Sequence, residues 1–281
     1  RALARRLFLP PPDKGKVRLL LRLEGSMADS SDGDDVRQVR ALFLSDVHLG
    51  MRPTRIAQCV DFLRHHDAET IYLIGDILDG WRLAKSWYWP PVYNEFVEEL
   101  LAKALRGTRM VVLPGNHDEF LREYLGTYFG EVEFVDRTIH TTAQGRTYLV
   151  MHGDQFDIVV AHAKWLAHVG DWAYRMALRV NIFINWVRRR LRRPYWSLSA
   201  WAKNKVKNAV SVIGRFEEAL TLEARDTGVD GVICGHIHFA DMHDRLGIHY
   251  INTGDWVESC TAVCETPEGQ FELIRWNAQL P

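Results

Sequence analysis

The chain has 281 residues, 47% of them hydrophobic, and its 35 Lys and Arg side chains nearly balance 36 Asp and Glu. A net charge of −1 argues against a polycation built for nucleic acid, and the hydrophobic content excludes a chain that is disordered throughout. Four cysteines are too few for a disulfide framework and favour a reducing, cytoplasmic setting.

The first 38 residues differ in composition from the rest of the chain. Residues 1–26 carry seven basic and two acidic side chains, and residues 28–35 have the polar composition of a disordered linker. We therefore predict a basic, proline-containing tail and linker over 1–38 and one domain over 39–281. Because Met27 directly precedes the linker, one interpretation is that translation starts there and that residues 1–26 lie outside the natural protein.

From residue 39 onward, short apolar runs typical of buried strands end abruptly in Asp, His or Asn. Each run is bounded by turn signals, and together they cover 39–44, 71–74, 110–113, 148–151 and 232–234. Helix-like segments over 54–66 and 92–105 alternate with the first three runs. This alternation predicts an α/β sheet, and further strands are expected over 250–264 and 271–276.

A helical insertion is predicted over about 158–220. Apolar side chains from Trp165 to Val187 recur at spacings of three and four, and a second helix is predicted to begin near 198, after Pro194. Residues 158–216 carry twelve basic side chains, one acidic side chain and five of the ten tryptophans. This composition favours contact with an anionic membrane surface or a phosphorylated lipid, with a packed helical hairpin as the alternative.

The polar residues that follow the predicted strands are of the types that bind metals. They are Asp46, His48, Asp76, Asn116, His117, His152, His236 and His238. Because the carboxyl ends of parallel strands meet at one edge of a sheet, we expect these side chains to converge. The alternative, that they are turn residues and hydrogen-bonded core histidines, requires five independent coincidences. A metal centre is therefore predicted.

In these blocks the sequence resembles the calcineurin-like metallophosphoesterases over residues 40–276. The blocks are Asp46-Val-His48, Gly75-Asp76-Ile-Leu-Asp79, Gly115-Asn116-His117-Asp118, His152-Gly-Asp154 and Gly235-His236-Ile-His238. The resemblance implies an α/β fold of two stacked mixed β-sheets flanked by helices, with a helical insertion. It also implies a metal-dependent phosphoesterase.

The resemblance further implies two divalent metal ions, with Asp76 as the ligand they share. One ion would be held by Asp46, His48, Asp76 and His238, and the other by Asp76, Asn116, His152 and His236. Mn²⁺ is favoured by the resemblance, with Fe²⁺ and Zn²⁺ as alternatives. His117 is suited to stabilise charge on phosphoryl oxygens or to protonate a leaving group. Asp79 and Asp118 are expected either to orient histidines or to cap helices, and Asp154 and Asp157 stay open.

Within that superfamily, the chain resembles the branch that contains UDP-2,3-diacylglucosamine diphosphatase. This enzyme of lipid A synthesis cleaves a pyrophosphate to a lipid monophosphate and UMP. The supporting features are the 75–81 block ending in Trp81, the 151–154 block, the insertion, and the 252–258 segment. One position departs from the branch, since His117 stands where its well-known members carry Arg. Residues expected to contact substrate are Asp79, Trp81, Lys203, Lys207 and Asn208.

The expected partners are therefore a phosphorylated lipid or nucleotide diphosphate and the anionic surface of the inner membrane, without nucleic acid. No run of about 18 apolar residues occurs, so peripheral rather than spanning attachment is expected. The alternatives are a nucleotide phosphodiesterase or nuclease of the same fold, or a scaffold without catalysis.

Overall fold

Strand and helix alternate from residue 37 to 113, as the sequence predicts. The computed structural model describes residues 36–52, 54–156 and 199–276, without the side chains of 199–212. The first elements are β1 (Arg37–Leu44), α1 (Ile56–Arg64), β2 (His66–Ile74), α2 (Gly80–Lys85), α3 (Pro91–Leu105) and β3 (Arg109–Leu113). A 3₁₀ turn (Glu119–Tyr124) leads to β4 (Tyr128–Phe129), β5 (Val132–Phe134), β6 (Arg137–Thr141) and β7 (Thr147–Met151). After a second 3₁₀ turn (Asp154–Phe156), the next described elements are α4 (Ser199–Thr227), β8 (Gly231–Cys234), β9 (Asp241–Arg245), β10 (Ile248–Asn252), β11 (Thr261–Glu265) and β12 (Phe271–Arg275).

The strands form two mixed sheets. The seven-stranded sheet has the order β12-β11-β1-β2-β3-β5-β4, in which β1, β2, β3 and β5 are parallel. The five-stranded sheet has the order β6-β7-β8-β10-β9, in which β7, β8 and β10 are parallel. The predicted fold class, an α/β fold with two mixed sheets flanked by helices, is confirmed.

The two sheets pack face to face. Alternate residues of the strands point to one face, so Phe43, Tyr72 and Val111 of the first sheet meet Val150 and Ile233 of the second in one buried cluster. The outer face of the first sheet is covered by α1 and α3, and that of the second by α4. This packing leaves the carboxyl ends of the parallel strands free to carry loops.

The last part of α4 belongs to the core rather than to a peripheral element. Phe216, Leu220 and Ala224 are fully buried against the second sheet. The helix continues to Thr227, beyond the predicted end of the second inserted helix at 220. Of the predicted tail and linker over 1–38, residues 1–35 lie outside the described residues, as does the first inserted helix, and β1 begins at Arg37. Within the described residues, no helix is long and apolar enough to cross a membrane.

The predicted strand over 250–264 is wrong in its middle, because residues 253–260 form a turn between β10 and β11. The carboxylate of Asp255 accepts hydrogen bonds from the backbone amides of Val257, Glu258 and Ser259 at 2.6–3.3 Å. Amides captured in this way cannot pair with a neighbouring strand. The chain therefore leaves the sheet before β11 begins at Thr261.

Candidate metal centre

All seven predicted metal ligands lie on loops that leave the carboxyl ends of parallel strands. Asp46 and His48 follow β1, Asp76 follows β2, Asn116 follows β3, His152 follows β7, and His236 and His238 follow β8. Because the two sheets are stacked, these loops face one another across one edge of the sandwich. The structure thus brings together residues that are up to 192 positions apart in the sequence, from Asp46 to His238.

The backbone at this edge is held in an unusual conformation. Seven non-glycine residues in the described part of the chain have positive φ, and five of them are predicted ligands: Asp46, His48, Asp76, His236 and His238, with φ between 52° and 74°. Left-handed backbone costs an L-residue free energy and persists only where the surrounding structure imposes it. The positive φ values turn these side chains out of the strand direction and toward a common point.

The first group of potential ligands contains Asp46, His48 and His238. The Oδ1 atom of Asp46 lies 3.3 Å from Nε2 of His238 and 3.8 Å from Nε2 of His48, and the two imidazole nitrogens are 3.4 Å apart. One ligand atom from each residue lies within 4.8 Å of the others. Such a triangle of one carboxylate oxygen and two imidazole nitrogens fits a divalent transition-metal ion.

The second group contains Asp76, His152 and His236, with one ligand atom from each again within 4.8 Å of the others. The Oδ2 atom of Asp76 lies 3.6 Å from Nε2 of His152 and 3.8 Å from Nε2 of His48, so this oxygen faces both groups. The Nδ1 atom of His152 donates to the carbonyl of Ile74 at 2.9 Å. That bond fixes the tautomer and leaves Nε2 of His152 available as a ligand atom.

Several buried polar atoms here have no hydrogen-bond partner, which suits them to bind a cation. They are Oδ1 of Asp46, Oδ1 of Asn116 and Nε2 of His152. An unsatisfied buried acceptor costs about 1–3 kcal/mol, so three on the ligand loops are unusual unless an ion binds them. The residues present therefore fit divalent metal ions.

The electrostatics of the site favour positive charge. Burial disfavours a charged Asp46, but the neighbouring imidazoles of His238 and His48 hold the pKa of its carboxyl well below the usual range. Burial likewise disfavours a protonated His152, yet the Asp76 carboxylate raises the pKa of this histidine to about 10. Divalent cations supply positive charge to such carboxylates when the histidines bind as neutral ligands.

His117 lies beside the two groups without belonging to the predicted ligand set. Its Nδ1 atom is 3.2 Å from Oδ1 of the fully buried Asp79, and its Nε2 atom is 4.0 Å from Oδ2 of Asp76. The Trp81 ring packs on the imidazole with centroids 4.2 Å apart, and the side chain of His117 is about one quarter exposed. Nε2 of His117 thus faces the site, while Asp79 and Trp81 fix the ring.

The sequence left the roles of Asp79 and Asp118 undecided, and the structure gives the two residues different contacts. Asp79 both accepts from the Arg82 amide, as the N-cap of α2, and contacts His117. Asp118 stands at the N-cap position of the 3₁₀ turn Glu119–Tyr124 without a side-chain capping bond; its buried carboxylate instead accepts from the backbone amides of Asp76, Ile77, Leu78 and Gly115. Burial and the nearby Asp76 charge raise the pKa of Asp118 to about 6.

Asp154 is paired away from the metal groups, since it accepts from Nη2 of Arg122 at 2.9 and 3.1 Å. The side chains of Lys203, Lys207 and Asn208 lie outside the described residues, although their backbone belongs to α4. Asp157 also lies outside the described residues. The predicted contacts of Lys203, Lys207 and Asn208 with substrate therefore stay predictions.

Sequence reasoning did not assign the residues that support the ligand loops from behind. Nδ2 of Asn252 donates to the carbonyl of Gly235, and Oγ of Ser45 lies 2.7 Å from Oγ1 of Thr253. Gly115 is needed because a Cβ atom there would lie 2.3 Å from Oδ1 of Asp76. The 252–258 segment was noted as a whole, but only the structure assigns these contacts to single residues.

Comparisons with known proteins identify one family for this chain. The sequence profile of the calcineurin-like phosphoesterases matches residues 39–240. The UDP-2,3-diacylglucosamine hydrolase of Haemophilus influenzae is 26% identical over 240 residues, which covers 83% of this chain and 98% of that relative. The hydrolase of the same name from Pseudomonas paraeruginosa is 28% identical, covering 76% and 90%. Among solved structures, Yfce, a phosphoesterase from E. coli, aligns over 84% of this chain and 99% of its own, at 13% identity and a TM-score of 0.41.

Proposed function

The chain belongs to the calcineurin-like phosphoesterase family, and from this premise we propose that it hydrolyses UDP-2,3-diacylglucosamine or a related lipid-linked nucleotide diphosphate. The products would be a lipid phosphate and UMP. The observation that carries the proposal is the pair of ligand groups at one edge of the sandwich, buried except for His238, which both face the Asp76 carboxylate and lie beside His117. The two relatives named as hydrolases of this substrate support the lipid class over most of their length.

The family uses divalent metal ions, and we propose Mn²⁺ as the pair bound here. One ion would be held by Asp46, His48, Asp76 and His238, and the other by Asp76, Asn116, His152 and His236. The grouping of the ligand atoms supports this division, because Asp46, His48 and His238 form one cluster and Asp76, His152 and His236 another. When bound, such ions lower the pKa of a water molecule and neutralise charge on phosphoryl oxygens.

His117 has the position of a proton donor to the oxygen that leaves phosphorus. Its Nε2 atom faces the ligand groups, whereas Nδ1 is turned toward Asp79 at 3.2 Å. The Asp79 carboxylate beside the far nitrogen would help to orient the imidazole so that Nε2 faces the ligand groups. Trp81 prevents the ring from turning away, because it packs on the imidazole face at 4.2 Å.

The lipid part of the substrate would be bound by the inserted helices. Lys203, Lys207 and Asn208 would contact the phosphate or sugar, and the basic, Trp-rich segment over 158–216 would face an anionic inner-membrane surface. The support for this assignment is the composition of the segment, which combines twelve basic side chains with five tryptophans.

A second candidate is a nucleotide phosphodiesterase of the same fold. It is favoured by His117, because the well-known enzymes of the lipid branch resemble this chain elsewhere but carry Arg at that position. The planar Trp81 ring beside the site, about half exposed, is also suited to stack on a nucleobase.

A substrate panel distinguishes the two candidates. Hydrolysis would be measured with Mn²⁺ on UDP-2,3-diacylglucosamine, on the same head group without acyl chains, and on a simple nucleotide diester. The lipid proposal predicts that the rate depends strongly on the acyl chains. Equal rates with and without acyl chains, or a preference for the diester, would favour the phosphodiesterase instead.

A further inference from the structure

Beside the metal centre, α2 and the loops next to it carry a cluster of exposed tryptophans and cations. We define this tryptophan–cation surface by Arg52, Trp81, Arg82, Lys85 and Trp87, all of which are exposed. The indole rings of Trp81 and Trp87 are 48% and 63% exposed, values that are high for the largest apolar side chain. Exposed aromatic rings that are grouped with cations mark a candidate surface for interaction.

Trp87 and Arg52 of the surface contact half-buried aromatic side chains, which hold them in place. The Trp87 ring stacks on Trp89 with centroids 5.6 Å apart, and Nε1 of Trp89 donates to Asn94 at 2.8 Å. The Arg52 guanidinium lies 3.8 Å above the Tyr88 ring. Rigid aromatic rings lose little conformational entropy when they bind, which suits them to an interface.

One buried tyrosine joins the two chain segments of this surface. Tyr93 is 1% exposed, packs against Tyr88 and Trp89, and donates its hydroxyl to the carbonyl of Met51 at 2.9 Å. The loop that contains Arg52 and the segment that contains Trp87 are therefore neighbours.

The charge of the surface is positive. Between Asp79 and Glu95 the chain contains no acidic residue, and Asp79 is fully buried. Arg82 pairs with Asp79 at 3.2 Å, whereas Arg52 and Lys85 form no ion pair with any residue that the structure describes. Cations without an acidic partner, on the same surface as exposed tryptophans, are the combination that binds the headgroup region of an anionic bilayer.

The position of the surface beside the metal centre indicates which kind of partner it binds. Trp81 belongs to the surface and also packs on His117, so the surface borders the place where phosphorus would react. A substrate with two acyl chains keeps its phosphates at the level of the lipid headgroups. An enzyme that cleaves it there must turn the rim of its site toward the bilayer.

We propose that the tryptophan–cation surface docks the folded body of the protein onto an anionic membrane, with Trp87 entering the interface and Arg52 and Lys85 binding lipid phosphates. The biological role of this docking rests on the proposed lipid substrate, whereas the vesicle-binding test does not depend on that substrate. It differs from attachment through the 158–216 segment, because the contact is made by the sandwich itself beside the metal centre.

The test is co-sedimentation of the full chain with vesicles of phosphatidylcholine, with and without phosphatidylglycerol. Replacing both cations (Arg52→Gln with Lys85→Gln) is expected to weaken binding to anionic vesicles by about 10- to 30-fold, since each interfacial cation contributes about fivefold. Trp87→Ser is expected to weaken it by about tenfold or more, because an apolar ring is lost from the interface. The cation effect should shrink at high salt.

Two control variants on the far edges of the first sheet match these changes. Phe129 is 59% exposed and contacts Phe134 edge-to-face, so Phe129→Ser controls for loss of an exposed aromatic ring. Arg275 is exposed on the edge strand β12, so Arg275→Gln controls for loss of a charge. Both controls should bind vesicles like the unmodified chain. If the Trp87 and Arg52/Lys85 variants also bind like it, the proposed docking surface is wrong.

The outcome is separable from that of the proposed function. Hydrolysis of a small, water-soluble phosphodiester should be unchanged in the Trp87 and Arg52/Lys85 variants, which shows that they fold and keep the metal centre. The variants could lose vesicle binding while the hydrolysis rate of the unmodified chain does not depend on acyl chains. That result would support the docking surface and contradict the lipid substrate. Tighter binding of the unmodified chain to single-stranded RNA than to anionic vesicles, lost in the same variants, would overturn the membrane as partner.

Discussion

Nδ1 of His117 lies 3.2 Å from Oδ1 of Asp79, and the amide of Gly80 donates to the carbonyl of the same histidine at 2.9 Å. These two contacts fasten the loop after β3 to the first turn of α2. Asp79 is fully buried and also caps that helix through the Arg82 amide. One carboxylate therefore sets both the start of α2 and the orientation of the imidazole.

Asp79→Asn is expected to lower kcat by about 10- to 100-fold with little loss of stability. Asn is as good an N-cap as Asp, so α2 keeps its first turn, but the carboxylate that faces Nδ1 of His117 and orients the ring is replaced by a neutral amide. The measurement is kcat with saturating Mn²⁺ together with the thermal unfolding midpoint. Because Asp79 would act through His117, the double variant Asp79→Asn with His117→Ala should have the same kcat as His117→Ala alone. Additive losses would contradict this coupling.

Asp76→Ala is expected to abolish turnover and metal binding. Its Oδ2 atom lies within 4 Å of both His48 and His152, so its removal takes a ligand from both groups. Elemental analysis of the purified variant should find less than one metal ion per chain. His117→Ala is the matched comparison, since it should keep both ions and lose most of the rate. Near-normal turnover in either variant would overturn the assigned roles.

Gly115→Ala is expected to keep the fold and weaken metal binding by about tenfold or more. The new methyl group would lie 2.3 Å from Oδ1 of Asp76 and 2.7 Å from Nε2 of His152, so these ligands must move. Mn²⁺ affinity measured by calorimetric titration gives the effect directly. Gly214→Ala is the control, because the nearest side-chain atom lies 3.8 Å away and alanine favours the helix by up to about 1 kcal/mol. Unchanged Mn²⁺ affinity in Gly115→Ala would show that the site is less crowded than the structure indicates.

The positions of the ligands could be predicted because the information is local. Each short apolar run predicts a buried strand, and parallel strands bring their carboxyl ends to one edge whatever the connections between them. Asp46 and His48, or His236 and His238, needed only that rule and their spacing of two. The rule does not predict the backbone conformation. It assumes an extended chain, in which the two side chains of a pair point the same way, whereas both members of each pair have positive φ.

The supporting contacts could not be predicted because they join distant segments through backbone groups. The Asp118 carboxylate accepts from amides 40–42 residues earlier in the chain, and any backbone amide in reach could have served. Asp255 shows the same limit, since an acidic residue within an apolar stretch gave no sign that it would capture three amides and break the strand. Residue types reveal ligands, whereas partners of a backbone amide follow only from the fold.

A second buried polar group, far from the metal centre, joins the two sheets. His140 on β6 is 5% exposed; its Nε2 atom lies 2.7 Å from Oε2 of Glu265 on β11, and its Nδ1 atom lies 3.1 Å from the Tyr72 hydroxyl on β2. Nη1 of Arg40 donates to the other oxygen of Glu265 at 2.8 Å. Because Arg40 already balances Glu265, the imidazole can stay neutral, donating to Glu265 and accepting from Tyr72.

This group makes stability depend on pH. Burial lowers the pKa of His140 below its ordinary value of 6.5, so below that pH the unfolded chain binds a proton that the folded chain does not. The free energy of unfolding should therefore fall as pH drops from 6.5 toward the folded pKa, by at most about 1.4 kcal/mol per pH unit. His140→Gln keeps a donor for Glu265 and an acceptor for Tyr72 but cannot titrate, so its unfolding midpoint should decline less between about pH 7.5 and pH 5.5 than that of the unmodified chain. Equal declines, or a His140 ring that titrates above 6.5 by NMR, would show that this histidine does not carry the effect.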